Sequence, residues 1–261
     1  MNRQTLADSI AEHARSIAHD NRIDATAVPF IDALAGSIWN RWPRSADAPQ
    51  QIGLSDADFQ WAAQALGCTV AQIRAVDEVE SGGGWYTDAR ADILDADGPG
   101  GFIDGPNLPK ILFEAHIFAR HTDPRGKFNK THPNLSSPSW NRALYVGGQA
   151  EWLRLHKAME LDRQAALMSA SVGRYQIMGF NHKAAGFATV EAFWSAMKES
   201  ERRHLEAFVA FIRSAGLVDA LRRVSNVHAM NEAFASKYNG SGYAANQYHV
   251  KIAKAHAKWS K

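Results

Sequence analysis

Residues 69–84 read TVAQIRAVDEVESGGG, and this stretch decides how the chain is read. Thr69 with Gln72 is a capping pattern that starts a helix. Ile73, Val76 and Glu80 follow at helical spacing, so all three share one face. The glycines after Ser81 stop the helix abruptly. A single carboxylic acid is therefore set on a buried stripe at a helix C-terminus, where a carboxylate without a task would be costly. Apolar neighbours and the negative end of the helix dipole both push its pKa up. An acid still protonated near neutral pH can hand a proton to a glycosidic oxygen.

Upstream, Ser55 with Asp58 forms a second capping box ahead of Phe59, Ala62, Ala63 and Leu66, and Gly67 ends that helix. Further upstream, residues 3–20 and 27–40 carry helical spacing and read as a hairpin. The polar, proline-bearing stretch 43–53 reads as a linker. The expected division is an N-terminal helical segment, 1–50, with a packing or binding role, and a larger domain, 51–261, that carries the chemistry.

Downstream, 81–109 is rich in Gly, Asp and Pro and reads as loop or short β-hairpin. Helices are expected from Pro109 to His121, and as one long element from Ser139 through Trp140, Leu144, Trp152, Leu155 and Met159. Asp162 starts another, ending near Ser169. Residues 173–180 are tight and mixed, and 189–215 hold one or two helices. The last helix, 244–260, carries Tyr248, Ile252, Ala255 and Trp259 on one face, with Lys251, Lys254, Lys258 and Lys261 to one side.

The chain has 261 residues, 46% of them hydrophobic, which suits one large domain with a sizeable core. Of its eight tryptophans, some must pack the core and others can serve a sugar-binding cleft. The net charge of +2 implies no polyanion partner, and no nucleic acid is expected. The charge is nevertheless uneven, with eleven Lys or Arg against five Asp or Glu from Lys198 onward, which fits an anionic envelope surface or a solvated helix face. One cysteine, Cys68, permits no intramolecular disulfide. The first residues lack an apolar signal core, and no stretch reads as a membrane span. The expectation is a monomer that accumulates in the cytoplasm and needs another exit route for any action outside the membrane.

Glycoside hydrolysis usually needs two carboxyl groups in different environments. Glu80 suits the acid. Candidates for its partner are Glu114, read equally as a structural hydrogen-bond acceptor, and the loop residues Asp88, Asp92, Asp95, Asp97 and Asp104. His116, His121 and His132 invite a metal reading, but their spacing lacks the helical zinc pattern, so no metal or cofactor is expected. Cys68 beside a helix start could carry a thiolate, although a lone cysteine is more often a small apolar filler.

Five segments carry a resemblance: 54–83, 110–116 (KILFEAH), 136–147 (SSPSWNRALYVG), 169–186 (SASVGRYQIMGFNHKAAG) and 237–243 (KYNGSGY). Through them the chain resembles the N-acetylmuramidase family of modular phage endolysins from about residue 54 to its end; residues 1–50 are not covered. The resemblance implies a mainly α, lysozyme-like fold with a small β element beside the cleft. It implies cleavage of the β-1,4 bond between N-acetylmuramic acid and N-acetylglucosamine in peptidoglycan glycan strands. The family's catalytic glutamate falls on Glu80 and its second glutamate on Glu114. The Gly173-Arg174-Tyr175-Gln176-Ile177 segment is similar to one lining the sugar groove of goose-type lysozymes and lytic transglycosylases. With the Tyr238-Asn239-Gly240 turn, it implies substrate roles for Tyr175, Gln176, Tyr238 and Asn239, beside Ser81 and Gly82; Tyr175 and Tyr238 read equally as core. The chain departs from the family in an insertion, TDARADILDADGP, between the two glutamates.

The expected function is therefore wall hydrolysis by an endolysin. The rivals are a lytic transglycosylase giving 1,6-anhydro products, a bacterial antibacterial effector of the same chemistry, and a noncatalytic wall-binding protein.

Overall fold

The structure is a computed structural model that describes residues 53–81, 86–88, 107–148 and 150–261. Contacts group residues 51–87 and 109–261 into one compact unit, and 1–50 with 88–108 into another. The hairpin expected within 1–50 lies outside the described residues.

Helix α1 (Asp56–Leu66) is closed by the expected capping box: the Ser55 hydroxyl accepts from the Asp58 N–H at 3.2 Å, and Asp58 accepts from the Ser55 N–H at 2.8 Å. Thr69 and Gln72 repeat the exchange at the start of α2 (Val70–Ser81). The Gln72 amide then donates to the Arg222 and Val224 carbonyls, fixing α2 against the end of α8 (Val218–Arg222). Strands β1 (Tyr86–Asp88) and β2 (Asn107–Pro109) are the extended elements flanking the inserted loop.

Residues 109–121 do not form the single helix expected. Ile111–Phe113 is strand β3, and only Ala115–His121 is helix (α3). The apolar triplet is consumed by pairing: β3 runs antiparallel to β4 (Ala170–Val172), which pairs in turn with β5 (Ile177–Met178). The long helix expected from Ser139 is also absent. Asn141 caps a single 3₁₀ turn, Arg142–Leu144. Gly147 and Gly148 then take positive φ (71° and 56°), so helix α4 (Ala150–Leu161) cannot start before them.

Asp162, Thr189 and Ser200 cap α5 (Arg163–Met168), α6 (Val190–Met197) and α7 (Glu201–Ser214). After α8, helix α9 (Glu232–Tyr238) precedes the glycine turn, and α10 (Tyr248–Trp259) closes the fold. The architecture is mainly α with a three-stranded sheet. Ile73 and Val76 of α2, Leu205, Phe208 and Ile212 of α7, Phe234 of α9 and Ile252 of α10 are fully buried. Each contributes about 1.5–3 kcal/mol by leaving water. Trp152 and Trp194 pack edge to face at 5.8 Å, and their N–H groups donate to the Pro109 and Leu167 carbonyls, so neither indole strands a polar atom.

Candidate active site

Glu80 sits in the last turn of α2, on the stripe that buries Ile73 and Val76. Helix α10 packs along α2 and presents Tyr248, whose hydroxyl donates to Glu80 Oε1. Burial raises the Glu80 pKa to about 7; the Tyr248 hydrogen bond pulls it down, and the negative Asp77 one turn earlier pushes it up. A carboxyl group in this state is poised to give a proton near neutral pH.

Beneath Glu80 lies a buried ion cluster. Asp77 accepts two hydrogen bonds from the Arg174 guanidinium, one of them at 2.5 Å from Nη2. Nη1 of the same guanidinium reaches Glu201 at 2.7 Å, and Glu201 also accepts from the Leu54 N–H at 3.1 Å. Burial pushes Glu201 up to about 7, against the pull of Arg174 and the Leu54 N–H. His204 is held neutral. Burial lowers its pKa to about 4, its Nε2–H donates to the Met197 carbonyl, and its Nδ1 accepts from the Arg174 N–H. Gly173 lies over that ring at φ 77°, where a Cβ would meet the imidazole at 2.6 Å. This contact explains the glycine that opens the Gly-x-x-Gln-Ile segment.

Tyr238 stacks on Phe234 and on Tyr248, and its hydroxyl donates to the Tyr175 carbonyl at 3.0 Å. Tyr175, read from sequence as groove or core, is in the core: it is 2% exposed and stacks on Phe208 at 4.4 Å. The Gln176 backbone is left-handed (φ 46°) and its amide is engaged within the fold. It donates to the Gly173 and Lys110 carbonyls and accepts from the Ser171 hydroxyl. Asn239 is exposed at the end of α9, and Ser81 is half-buried at the end of α2. Gly82, Asp92, Asp95, Asp97 and Asp104 lie outside the described residues, as does the side chain of Asp88.

Glu114 is the residue between β3 and α3; its N–H donates to the Ser169 carbonyl, extending the β3–β4 ladder. Oε2 accepts from the Tyr145 hydroxyl at 2.6 Å and lies 3.2 Å from His116 Nδ1. Burial, and then Glu114, raise the Tyr145 pKa. Burial lowers that of His116 against the pull of Glu114. Lys110, at the other end of β3, accepts from Gly173 and Gln176 in the loop that meets Tyr238. Lys110 and Glu114 are about 13 Å apart along the strand. Glu80 and Glu114 belong to different elements, and each has its own hydrogen-bond partners.

Sequence reasoning passed over Tyr248, Tyr145, Arg174 and Glu201 as site residues. Asp77 was legible, sharing the face of Ile73 and Glu80; its partners belong to remote elements. Burial pushes the Cys68 thiol up to about 11, which leaves it unreactive. Among the described residues no cluster of His, Cys, Asp or Glu could hold a metal. A surface hollow of about 440 Å³ is lined by Asp56, Gln60, Val70, Arg74 and Trp259, and Glu80 is not among its lining residues.

The profile of N-acetylmuramidases matches residues 69–260. The chain belongs to the N-acetylmuramidase family. It is similar to a solved Burkholderia AP3 phage endolysin, at 31% identity and a TM-score of 0.65, covering 98% of this chain and 86% of that one. No curated protein matches the chain. As an N-acetylmuramidase of lysozyme-like fold, the protein is a glycoside hydrolase with peptidoglycan as its substrate. Among its described residues no helix is long and apolar enough to cross a membrane.

Proposed function

We propose that the protein is a phage endolysin that hydrolyses the β-1,4 bond between N-acetylmuramic acid and N-acetylglucosamine, with Glu80 as the general acid. The observation that carries this reading is the half-buried carboxyl of Glu80, raised to about 7 and held by Tyr248. Glu80 protonates the leaving oxygen as the bond lengthens and positive charge gathers on the sugar ring. A second carboxylate activates water or steadies that charge. Glu114 fits because, among the described residues, its partners Tyr145 and His116 both engage Oε2, leaving Oε1 to face water or sugar. An inserted aspartate, Asp88, Asp92, Asp95, Asp97 or Asp104, is the competing assignment.

Ser81, Gly82, Tyr238 and Asn239 border the glycan, while Gln176 shapes the loop beside it. Residues 51–261 carry catalysis, and 1–50 bind the wall or pack on the domain. The protein works as a monomer, held in the host cytoplasm until lysis releases it to the wall. Lys251 and Lys254 are exposed along α10 and Lys261 just beyond its end, and with Lys258 they supply a surface for an anionic envelope. The test is mass spectrometry of products from defined murein, comparing the protein with Glu80→Gln. Reducing ends that have gained water, absent from the variant, support the proposal. Products carrying 1,6-anhydro ends would replace it with lytic transglycosylation.

A further inference from the structure

Trp140 is the most exposed tryptophan or phenylalanine among the described residues, at 58%. Val146, from the same segment, is equally open. An indole this open presents a flat apolar face to solvent. Other exposed aromatics have neighbours over their rings: Trp259 lies under Arg74 and Lys258, and Phe180 stacks with His121. Trp140 instead leans on Tyr145, with ring centroids 6.4 Å apart and planes tilted by 58°, its indole N–H facing the tyrosine oxygen. That tyrosine hydroxyl is the one donating to Glu114.

The segment is fixed from below. Glu151 is fully buried, and its Oε1 accepts from the Val146 and Gly147 N–H groups. Its Oε2 accepts from the Phe113 N–H and from Arg154. Arg154 donates onward to the Phe113 and Asn134 carbonyls. One buried ion pair therefore fixes the backbone immediately before Glu114 and immediately after Tyr145, so the exposed indole stands on a rigid base.

A flat apolar face beside a hydroxyl and a carboxylate matches a pyranose, which offers C–H groups on its face and hydroxyl or acetamido groups on its rim. We propose that Trp140, with Val146, is a platform that stacks against one sugar of the murein strand, and that Tyr145 and Glu114 take the rim of that sugar. The proposal rests on the glycan-cleaving reading above and adds a subsite to it. Trp140 would then set affinity for the strand while Glu80 performs the chemistry.

The experiment is calorimetric titration of a murein tetrasaccharide into Glu80→Gln, and into the same protein carrying Trp140→Ala or Trp140→Phe. Removing the indole is expected to weaken binding by about tenfold, and phenylalanine to hold it within about threefold. Thermal midpoints should be unchanged, since the side chain is exposed. In the active protein Trp140→Ala should raise KM and leave kcat in place. Equal affinity with and without the indole overturns the platform even where Glu80→Gln has abolished turnover. Turnover retained in Glu80→Gln overturns the acid assignment instead.

Discussion

The hydroxyl of Tyr248, in the last helix, donates a hydrogen bond to Glu80 Oε1, in the second. This bond favours the ionised carboxylate and so opposes the effect of burial. In Tyr248→Phe the Glu80 pKa should rise above its present value of about 7. The alkaline limb of the kcat/KM profile on soluble murein should move to higher pH, with a lower plateau because the acid is less well oriented. A limb that stays in place would dissociate Tyr248 from the acid.

Glu80→Gln should abolish most turnover, by a factor of about 100 or more. It should also stabilise the protein at alkaline pH. The folded-state pKa of about 7 lies above the ordinary 4.5, so between these values the folded chain keeps a proton that the unfolded chain has lost. Stability therefore falls as pH rises through that window, by about 3 kcal/mol at its end. Glutamine removes the term and still accepts from Tyr248. Urea midpoints should differ at pH 8 and coincide at pH 4; equal midpoints at both would contradict the burial of the carboxyl.

Arg174→Met should be the most damaging of the substitutions considered, because it leaves Asp77 and Glu201 buried without their cation. A loss of about 3–5 kcal/mol is expected. Acidification should recover part of it, since both orphaned carboxyls can then take up protons. Urea titrations at two pH values measure both effects, and a loss that does not shrink in acid would contradict the account.

Glu114→Gln keeps an acceptor for Tyr145, so folding should be preserved while hydrolysis drops by about 100-fold. If activity survives, the second carboxylate lies elsewhere. Asp→Asn changes at Asp88, Asp92, Asp95, Asp97 and Asp104 should then locate it.

Replacing Lys251, Lys254 and Lys261 with glutamine should leave turnover on purified murein unchanged. Binding to anionic vesicles should weaken, and most at low salt. Vesicle binding indifferent to these changes would remove the basic stripe from the account.

Much of this was written locally in the chain. The caps at Ser55 and Thr69, the helix start at Asp162, the face shared by Ile73, Val76 and Glu80, and the helix carrying Tyr248 all follow from short-range patterns. Two elements were misread for physical reasons. Ile111–Phe113 is apolar enough for a helix or a strand, and pairing with Ala170–Val172, remote in sequence, decides between them. The segment after Ser139 has helical spacing, but Gly147 and Gly148 turn the backbone and Glu151 captures the N–H groups that a helix would have used. The supports of the site were illegible for the same reason. Arg174 and Tyr145 act across contacts that only the finished fold creates, and no spacing rule connects residue 174 with 77 or 145 with 114.

The clamp on the acid is made 168 positions after the acid itself. A ribosome therefore finishes α1 to α9 before Tyr248 can close on Glu80. A stop codon or a protease cut in the short interval before Tyr248 would remove all of α10, taking Ile252 out of the core together with the hydroxyl that holds Glu80.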